Sequence, residues 1–423
     1  MFLRTLTIFL SCCLTISNLI AQEDVSIKAT VKSLDNNTPL PYCFVKLKNL
    51  PIGTITNEDG AFELHLKSTS LNDTILISSI GYETYKQTVA NIIQNNTIFL
   101  KTNYYSLPEV SITPGPTIEN ILENVYNSYK KNFLDSTVQI SGFFRSYFKS
   151  DNVYDKLIEG DISMISKGFN KNKNIWNKHY IYLNETRGSL NSGKIKEGKG
   201  VNNFNEIIVI YETYLNQLKN DKLFNSKIRI DKVEYEGEKK IYDLIFKNRN
   251  EEKFSETTIS LKINSTNWAI EELEYNSSFY KADEAQIQQS NIDSIRFRSV
   301  SDNFMIQYIN INGKYYLNFF KRKYKKEIFS PTSNYEFIIN TEYLTNHINR
   351  GKGRLGAPLI RTESLYEQVC KLPYHQEFWK GYNLLLENSE LIKIKKDLEL
   401  KGNIDEQFNN ANKYQKDHKK SKK

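Results

Sequence analysis

The stretch from Gly53 to Phe62 constrains this chain most. A β-branched run, Thr54 to Thr56, leads into Asn57, Glu58, Asp59 and Gly60, and a second run leaves with Phe62, Leu64 and Leu66 at alternate positions. Period-two alternation on both sides of a polar turn ending in glycine is the pattern of a β-hairpin, the glycine supplying backbone angles that other residues resist. Upstream, Pro39, Leu40, Pro41 and Tyr42 open a run in which Cys43, Val45 and Leu47 alternate. Downstream, the mostly apolar run Ile75 to Ile80 ends at Gly81 and Tyr82. Seven strands are expected between Glu23 and Lys101, over 25–31, 42–48, 52–56, 61–66, 74–80, 83–89 and 97–101. Short strands at regular spacing, punctuated by Gly, Pro, Asn and Asp, predict a sandwich. Turns account for all of that punctuation, so none of it demands a chemical role.

The Pro-Leu-Pro lead-in at 39–41, the hairpin with its Gly-Thr-x-Thr-x-x-x-Gly-x-Phe spacing at 53–62 and the strand end at Ile80, Gly81 and Tyr82 together resemble the carboxypeptidase regulatory-like domain. That family is a transthyretin-like β-sandwich, and the resemblance covers about residues 25–101. It implies a fold and no reaction. Leu107 to Ile112 resembles the segment that joins such domains to the plug of outer-membrane receptors, although no plug or long barrel follows. Residues 118–400, above all Ile121 and Leu122 through Gly142 to Tyr147, are similar to uncharacterised envelope proteins carrying the same N-terminal sandwich. The runs Tyr242 to Phe246, Ile259 to Asn264 and Trp268 to Glu274 resemble the curved antiparallel sheet of periplasmic lipoprotein carriers.

The ends of the chain bear on its compartment. Arg4 precedes an apolar run from Leu6 to Leu14, and Leu19, Ile20 and Ala21 before Gln22 offer a cleavage site, so residues 1–21 read as a signal peptide. Cys13 follows Cys12 where a lipoprotein box wants a small residue, which argues against lipidation. Cys43 and Cys370 remain after cleavage, too few for a disulfide framework, and are expected as buried small apolar residues. No later stretch has the apolar length of a membrane-spanning helix. The formal charge of +8 owes much to the terminal lysines, among them Lys413, Lys416, Lys419 and Lys420. No aromatic-basic RNA-reading motif accompanies them, so nucleic acid is not an expected partner.

The expected order is a signal peptide at 1–21, an all-β Greek-key sandwich at 22–101, and a linker at 102–117 with Pro108, Pro114, Gly115 and Pro116. An α+β domain with a large curved antiparallel sheet follows at 118–400, and a basic disordered tail at 401–423. A helix begins after Pro116 with Ile118, Ile121, Leu122, Val125 and Tyr129 on one face. Strands follow over 138–165, where Phe143, Phe144, Tyr147 and Phe148 lie around Arg145. Residues 171–203 read as an exposed loop and 205–218 as a helix. A meander is expected over 228–233, 240–247, 257–264, 269–276, 294–299, 304–311 and 315–324, with a two-residue turn signal at Asn312 and Gly313. An aromatic segment from Pro373 to Trp379 and a helix led by Ser389, with Leu391, Ile394 and Leu398, close the domain.

A search for chemistry returns nothing that survives. A zinc carboxypeptidase site needs a His-x-x-Glu pair and a distant histidine, and none of His65, His179, His347, His375 and His418 has Glu three residues on. His375 with Glu377 is the nearest approach and lacks a third ligand. Gly193 to Gly200 fits Gly-x4-Gly-Lys without the following Ser or Thr and without a preceding buried strand. Gly351 to Gly356 fits Gly-x-Gly-x-x-Gly, but Pro358 obstructs a following helix. Glu251 with Glu252, and Glu271 with Glu272, are adjacent in strand-like or turn segments and would point opposite ways, unlike a cooperating carboxylate pair. No catalytic, cofactor-binding or metal residue is therefore expected, and no cofactor. The expectation is an exported, non-enzymatic cell-envelope protein, in the periplasm or associated with the outer membrane. Its partners would be other envelope proteins or anionic envelope components. The alternatives are a carrier of a lipid or other apolar ligand within the curved sheet, and a hydrolase without a linear motif.

Overall fold

The structure, a computed structural model, describes residues 24–48, 52–103, 116–133, 137–166, 179–189, 227–236, 239–251, 254–279, 287–289, 295–349, 355–359 and 365–411. The expected signal peptide, most of the linker, the helix at 205–218, the glycine pattern at 193–200 and the tail from residue 412 lie outside these residues, as do Glu252 and His418.

The N-terminal region forms β1 (Asp24–Ser33), β2 (Phe44–Leu47), β3 (Gly53–Ile55), β4 (Ala61–Lys67), β5 (Thr74–Ser78), β6 (Tyr85–Thr88) and β7 (Thr97–Leu100), one for each expected strand. They make two sheets, ordered β4-β1-β7 and β3-β2-β5-β6, with β7 parallel to β1. The alternating residues Ile27, Val31, Val45, Leu47, Phe62, Leu64, Ile75 and Ile77 meet between the sheets, and Cys43 is buried among them as a free thiol. Gly60 has φ of +72°, and a Cβ there would stand 2.6 Å from the Val31 carbonyl oxygen, so the turn requires glycine. Val89 to Ile93, expected in part as strand, is a one-turn helix that buries Val89 and Ile92.

After the helix Ile118–Asn132, capped by the Thr117 side chain accepting from the Asn120 N–H, the chain builds one large sheet. Its strands are β8 (Val138–Ser150), β9 (Val153–Ser166), β10 (His179–Gly188), β11 (Lys227–Glu236), β12 (Lys239–Asn250) and β13 (Ser255–Asn264). They continue with β14 (Ile270–Phe279), β15 (Gln288–Gln289), β16 (Arg296–Ile311), β17 (Lys314–Phe329), β18 (Asn334–Asn349) and β19 (Ala357–Pro358). The order is β11-β12-β13-β14-β16-β17-β18-β8-β9-β10-β19, with β15 beside β16: among the described residues, 12 antiparallel strands whose two ends do not meet. Asn312 and Gly313 both take positive φ, 52° and 77°, the backbone of the tight hairpin their sequence predicts between β16 and β17.

Several segments depart from expectation, each for a local reason. The runs 294–299 and 304–311 are one strand, β16, and the register shift between Ser299 and Ser301 breaks the alternation that would have joined them. Residues 179–188, read as part of a polar loop, are β10, whose polar side chains find partners, Arg187 on Glu159 of β9 and Glu185 on His375 of the C-terminal segment. β18 has no counterpart among the expected strands, because polar Asn340, Glu342 and Asn346 interrupt its apolar residues, yet it is central. Beyond Gly402 a helix spans 404–411 instead of a disordered tail, since Ile404 and Phe408 bury against Leu391, Ile394 and Leu398.

Pairing register separates the sheet into two unlike faces. On one, Leu244, Leu261, Leu273, Ile306, Phe320, Tyr343 and Phe144 stand in one row across seven strands, all buried, with Ile121, Leu122 and Val125 of the first helix in the same core. The sandwich and the C-terminal helices cover the other. β8 and β18 approach closely where β18 shifts register between Thr345 and His347. A Cβ at Gly142 would sit 2.1 Å from the Leu344 carbonyl oxygen. Gly142→Ala is expected to lower the unfolding free energy by about 1–3 kcal/mol or more, read from urea denaturation, because backbone must move to admit the methyl.

Candidate functional site: a charged row beneath the sandwich

The covered face carries a second register row: Ser260, Glu274, Met305, Lys321, Glu342, Arg145, Glu159 and Arg187, one residue from each of eight adjacent strands. Directly opposed residues on one face interact, so from Lys321 to Arg187 the row alternates in sign at each step. Arg145 is at its centre and is 2% exposed. Its Nε donates to Glu159 Oε1 at 2.7 Å, its Nη1 to Glu342 Oε2 at 3.3 Å and its Nη2 to the Leu385 carbonyl at 3.1 Å. Arg187 donates from Nε to the other Glu159 oxygen at 2.6 Å. Burial alone would push the Glu159 carboxyl up, but Arg187 and Arg145 together hold it down at about 2. Glu342 has only a share of Arg145, and burial prevails there, raising its carboxyl. Burial likewise raises Glu274, with Glu272 adding to it, and lowers the Lys321 ammonium against the pull of Glu58 and Glu274.

One register step away lies a row with an apolar centre: Lys262, Glu272, Gln307, Phe319, Leu344, Phe143 and Asp161. Here the sandwich is seated. The Tyr42 ring stacks on Phe319 at 5.5 Å, Ile55 joins Phe143, Met305 and Leu344 in one core, and Lys321 Nζ donates to the Tyr42 hydroxyl at 2.7 Å. The turn that marks the hairpin in the sequence does more than reverse the chain. Asn57 Oδ1 accepts from the Asp59 and Ala61 N–H groups while its Nδ2 donates to the Glu387 carbonyl at 3.0 Å. Glu58 accepts from the Tyr42 hydroxyl at 2.8 Å and lies 3.9 Å from Lys321.

The C-terminal segment straps both units together. Asn383 pairs with the backbone of His65 on edge strand β4, and its own carbonyl accepts from Asn346 of β18 at 3.0 Å. Tyr382 donates to Asp161 at 2.7 Å, Trp379 lies on the Arg187 guanidinium at 4.4 Å, and Glu390 of the helix Ser389–Glu399 accepts from Tyr147 and Tyr154. Cavities of about 470, 240 and 320 Å³ open along this joint.

None of the sequence motifs weighed for chemistry meets here among the described residues, which leave out 351–354 as well as 193–200. His375 Nδ1 lies 2.8 Å from Glu185, not on Glu377, and among the described residues no three His, Cys, Asp or Glu side chains could hold a metal ion. Glu271 and Glu272 take different partners, Lys239 with Tyr315 and Lys262 with Gln307. Gly356 has a tight packing role: a Cβ there would stand 2.0 Å from the Leu183 carbonyl oxygen, and its N–H donates to Asn184. Sequence reasoning missed the row; the usable signal was a lone arginine among the aromatics of β8, because a charge within an apolar strand is retained where partners await it.

Fold and joint together define a class: a small β-sandwich seated by buried contacts on one face of an open antiparallel sheet. Residues 27–112 match the family model of the CarboxypepD_reg-like domain, so the sandwich is a domain of that family, and the match runs on past β7. No curated protein matches the chain. Among solved structures it is similar to a DUF1329 family protein from Desulfovibrio piger, at 8% identity and TM-score 0.22, over 57% of this chain and 95% of that one. It is also similar to a domain described as an outer membrane lipoprotein-sorting protein from Vibrio parahaemolyticus, at 7% identity and TM-score 0.22, over 54% of this chain and 91% of that one.

Proposed function

We propose that this is an exported, non-enzymatic cell-envelope protein with a binding or scaffolding role at the periplasmic face of the outer membrane. The observation that carries the reading is the seating of the sandwich. Tyr42, Ile55 and Asn57 lock it to the sheet and to the C-terminal strap, so both units offer one fixed surface, and the cavities open at their joint. The family match supports a regulatory-like and not a catalytic sandwich. Among the described residues no helix is long and apolar enough to cross a membrane. The leader at 1–21 supports export, and the terminal lysines suit contact with anionic envelope components. The carrier alternative is less well supported, because the apolar row of the sheet is filled by Phe144, Phe320 and Tyr343, each 1% exposed or less.

The test is expression of the full chain with its own leader, followed by cell fractionation, N-terminal sequencing and native mass spectrometry. The expected result is a chain in the envelope fraction, cut after Ala21, with no apolar adduct. A cytoplasmic chain that retains residues 1–21 would overturn export, and a stoichiometric lipid adduct would put the carrier reading in its place.

A further inference from the structure

The cavity of about 470 Å³ at the joint lies between β2 and β3 of the sandwich and the ends of β16, β17 and β18. Alternation along β2 sends Val45 and Leu47 into the sandwich core and turns Phe44, and with it Lys46 and Lys48, toward the large sheet. Phe44, Ile52, Ile309, Ile311 and Ile348 give the cavity apolar walls. Among the described residues no Asp or Glu lines it, and Lys46 and Lys48 enter no ion pair, whereas the neighbouring cavities carry Glu272, Glu274 and Glu342. Two amides stand within the same walls. Asn318 is 6% exposed and its side chain makes no hydrogen bond among the described residues. Asn346, also 6% exposed, gives its Nδ2 to the Asn383 carbonyl and leaves its Oδ1 without a partner.

An unpaired amide among apolar walls is costly, and a hydrocarbon tail lying over it would leave that cost in place, whereas a second amide removes it. The two lysines call for an anion. The end of a polypeptide carries all of this at once: an apolar side chain, main-chain N–H and C=O groups and a free carboxylate. We propose that this cavity captures the carboxyl terminus of a partner protein that ends in an apolar residue. The carboxylate lies at Lys46 and Lys48, the main chain pairs with Asn318 and Asn346, and the last side chain rests on Ile309, Ile311 and Ile348. The volume is that of a small-ligand pocket, so it takes the end of a chain and not a folded surface. The inference rests on the binding reading above and gives it a partner class.

The test titrates the full mature chain against a fluorescein-labelled peptide, Gly-Ser-Gly-Ser-Ala-Leu, read by anisotropy. The free-acid peptide should bind one per chain, and its carboxamide, or the same peptide ending in Ser, about tenfold more weakly. The double variant Lys46→Gln, Lys48→Gln should lose the preference for acid over carboxamide, and added salt should narrow it in the parent. Asn318→Leu should weaken the acid peptide about tenfold, with thermal melts confirming that both variants fold. Decanoate, a carboxylate without an amide, should displace the peptide only in large excess. Equal binding of acid and carboxamide, binding of neither, a lysine variant that keeps the preference, or displacement by decanoate at equal concentration would each overturn the site, the last by assigning it to a fatty carboxylate. A chain that binds no peptide yet is exported and envelope-bound loses this site and keeps the envelope role; mislocalisation strikes the role itself.

Discussion

Arg145→Met is expected to lower the unfolding free energy by about 3–5 kcal/mol, the cost of breaking a buried ion pair from one side. The guanidinium is buried between two carboxylates and donates a third hydrogen bond to the Leu385 carbonyl. Methionine fills much of the volume and keeps contact with the Phe143 ring, over which the guanidinium lies at 4.8 Å, so the loss is one of charge and not of packing. Glu159 would keep Arg187, while Glu342 would lose its nearest cation. The informative companion is the double variant Arg145→Met, Glu342→Gln, which leaves the Glu159–Arg187 pair in place. Removing the stranded carboxylate together with the guanidinium should recover a large part of the loss, because a buried ion pair offsets its own desolvation and little more. Chemical denaturation of the single and double variants measures both; a double variant no better than the single would show that the row contributes more than mutual compensation.

The same geometry sets a pH dependence. Glu159 is held down at about 2 from an ordinary 4.5, so its stabilising contribution is complete above about 4.5 and is lost as pH falls through about 2. Glu342 works in the opposite sense. Its raised carboxyl binds a proton more readily in the folded chain, so that contribution is present at low pH and lost as pH rises through the raised value. In Arg145→Met the carboxylate left without its guanidinium protonates more easily still, and the deficit relative to the parent should shrink as the pH is lowered from 7 toward 4.5. Denaturation midpoints of the two chains at several pH values check this; a deficit constant across that interval would place its origin in packing.

What the sequence made legible follows from how each signal is encoded. Turn residues act locally, so the hairpin at Gly53 to Phe62, the turn at Asn312 and Gly313 and the seven sandwich strands stand where their patterns put them. Apolar alternation also exposed the buried row that includes Leu261, Leu273 and Ile306. The charged row was hidden because its logic is long-range. Arg145 meets Glu342 across 197 positions of sequence, and the polarity of β18 and β10 reads as exposure until the partner strand is known. The docking role of Asn57 and Glu58 was hidden for a different reason: a turn already explains them, and one side chain can satisfy a local turn and a distant carbonyl together.

Trp379→Ala should cost a comparable 3–5 kcal/mol, roughly the loss for removing a large aromatic from a core, and its consequences should spread further. Trp379 is 5% exposed in the short helix Gln376–Lys380, with the rings of Phe378 and Tyr382 at 5.2 and 5.7 Å and the Arg187 guanidinium against its face. Its loss opens a cavity over the end of the charged row, letting water reach the Arg187–Glu159 pair and weakening by solvation what burial had strengthened. The strap that Trp379 anchors also holds Asn383 on His65 and Glu387 on Asn57, the contacts that join it to the sandwich. Hydrogen exchange should therefore quicken in two places at once, at residues 376–388 and at the His65 amide on β4, while Ile27 and Val31 in the sandwich core remain protected. Exchange that quickens only at 376–388 would mean that Tyr42 and Phe319 seat the sandwich unaided, and that the strap covers the joint without holding it.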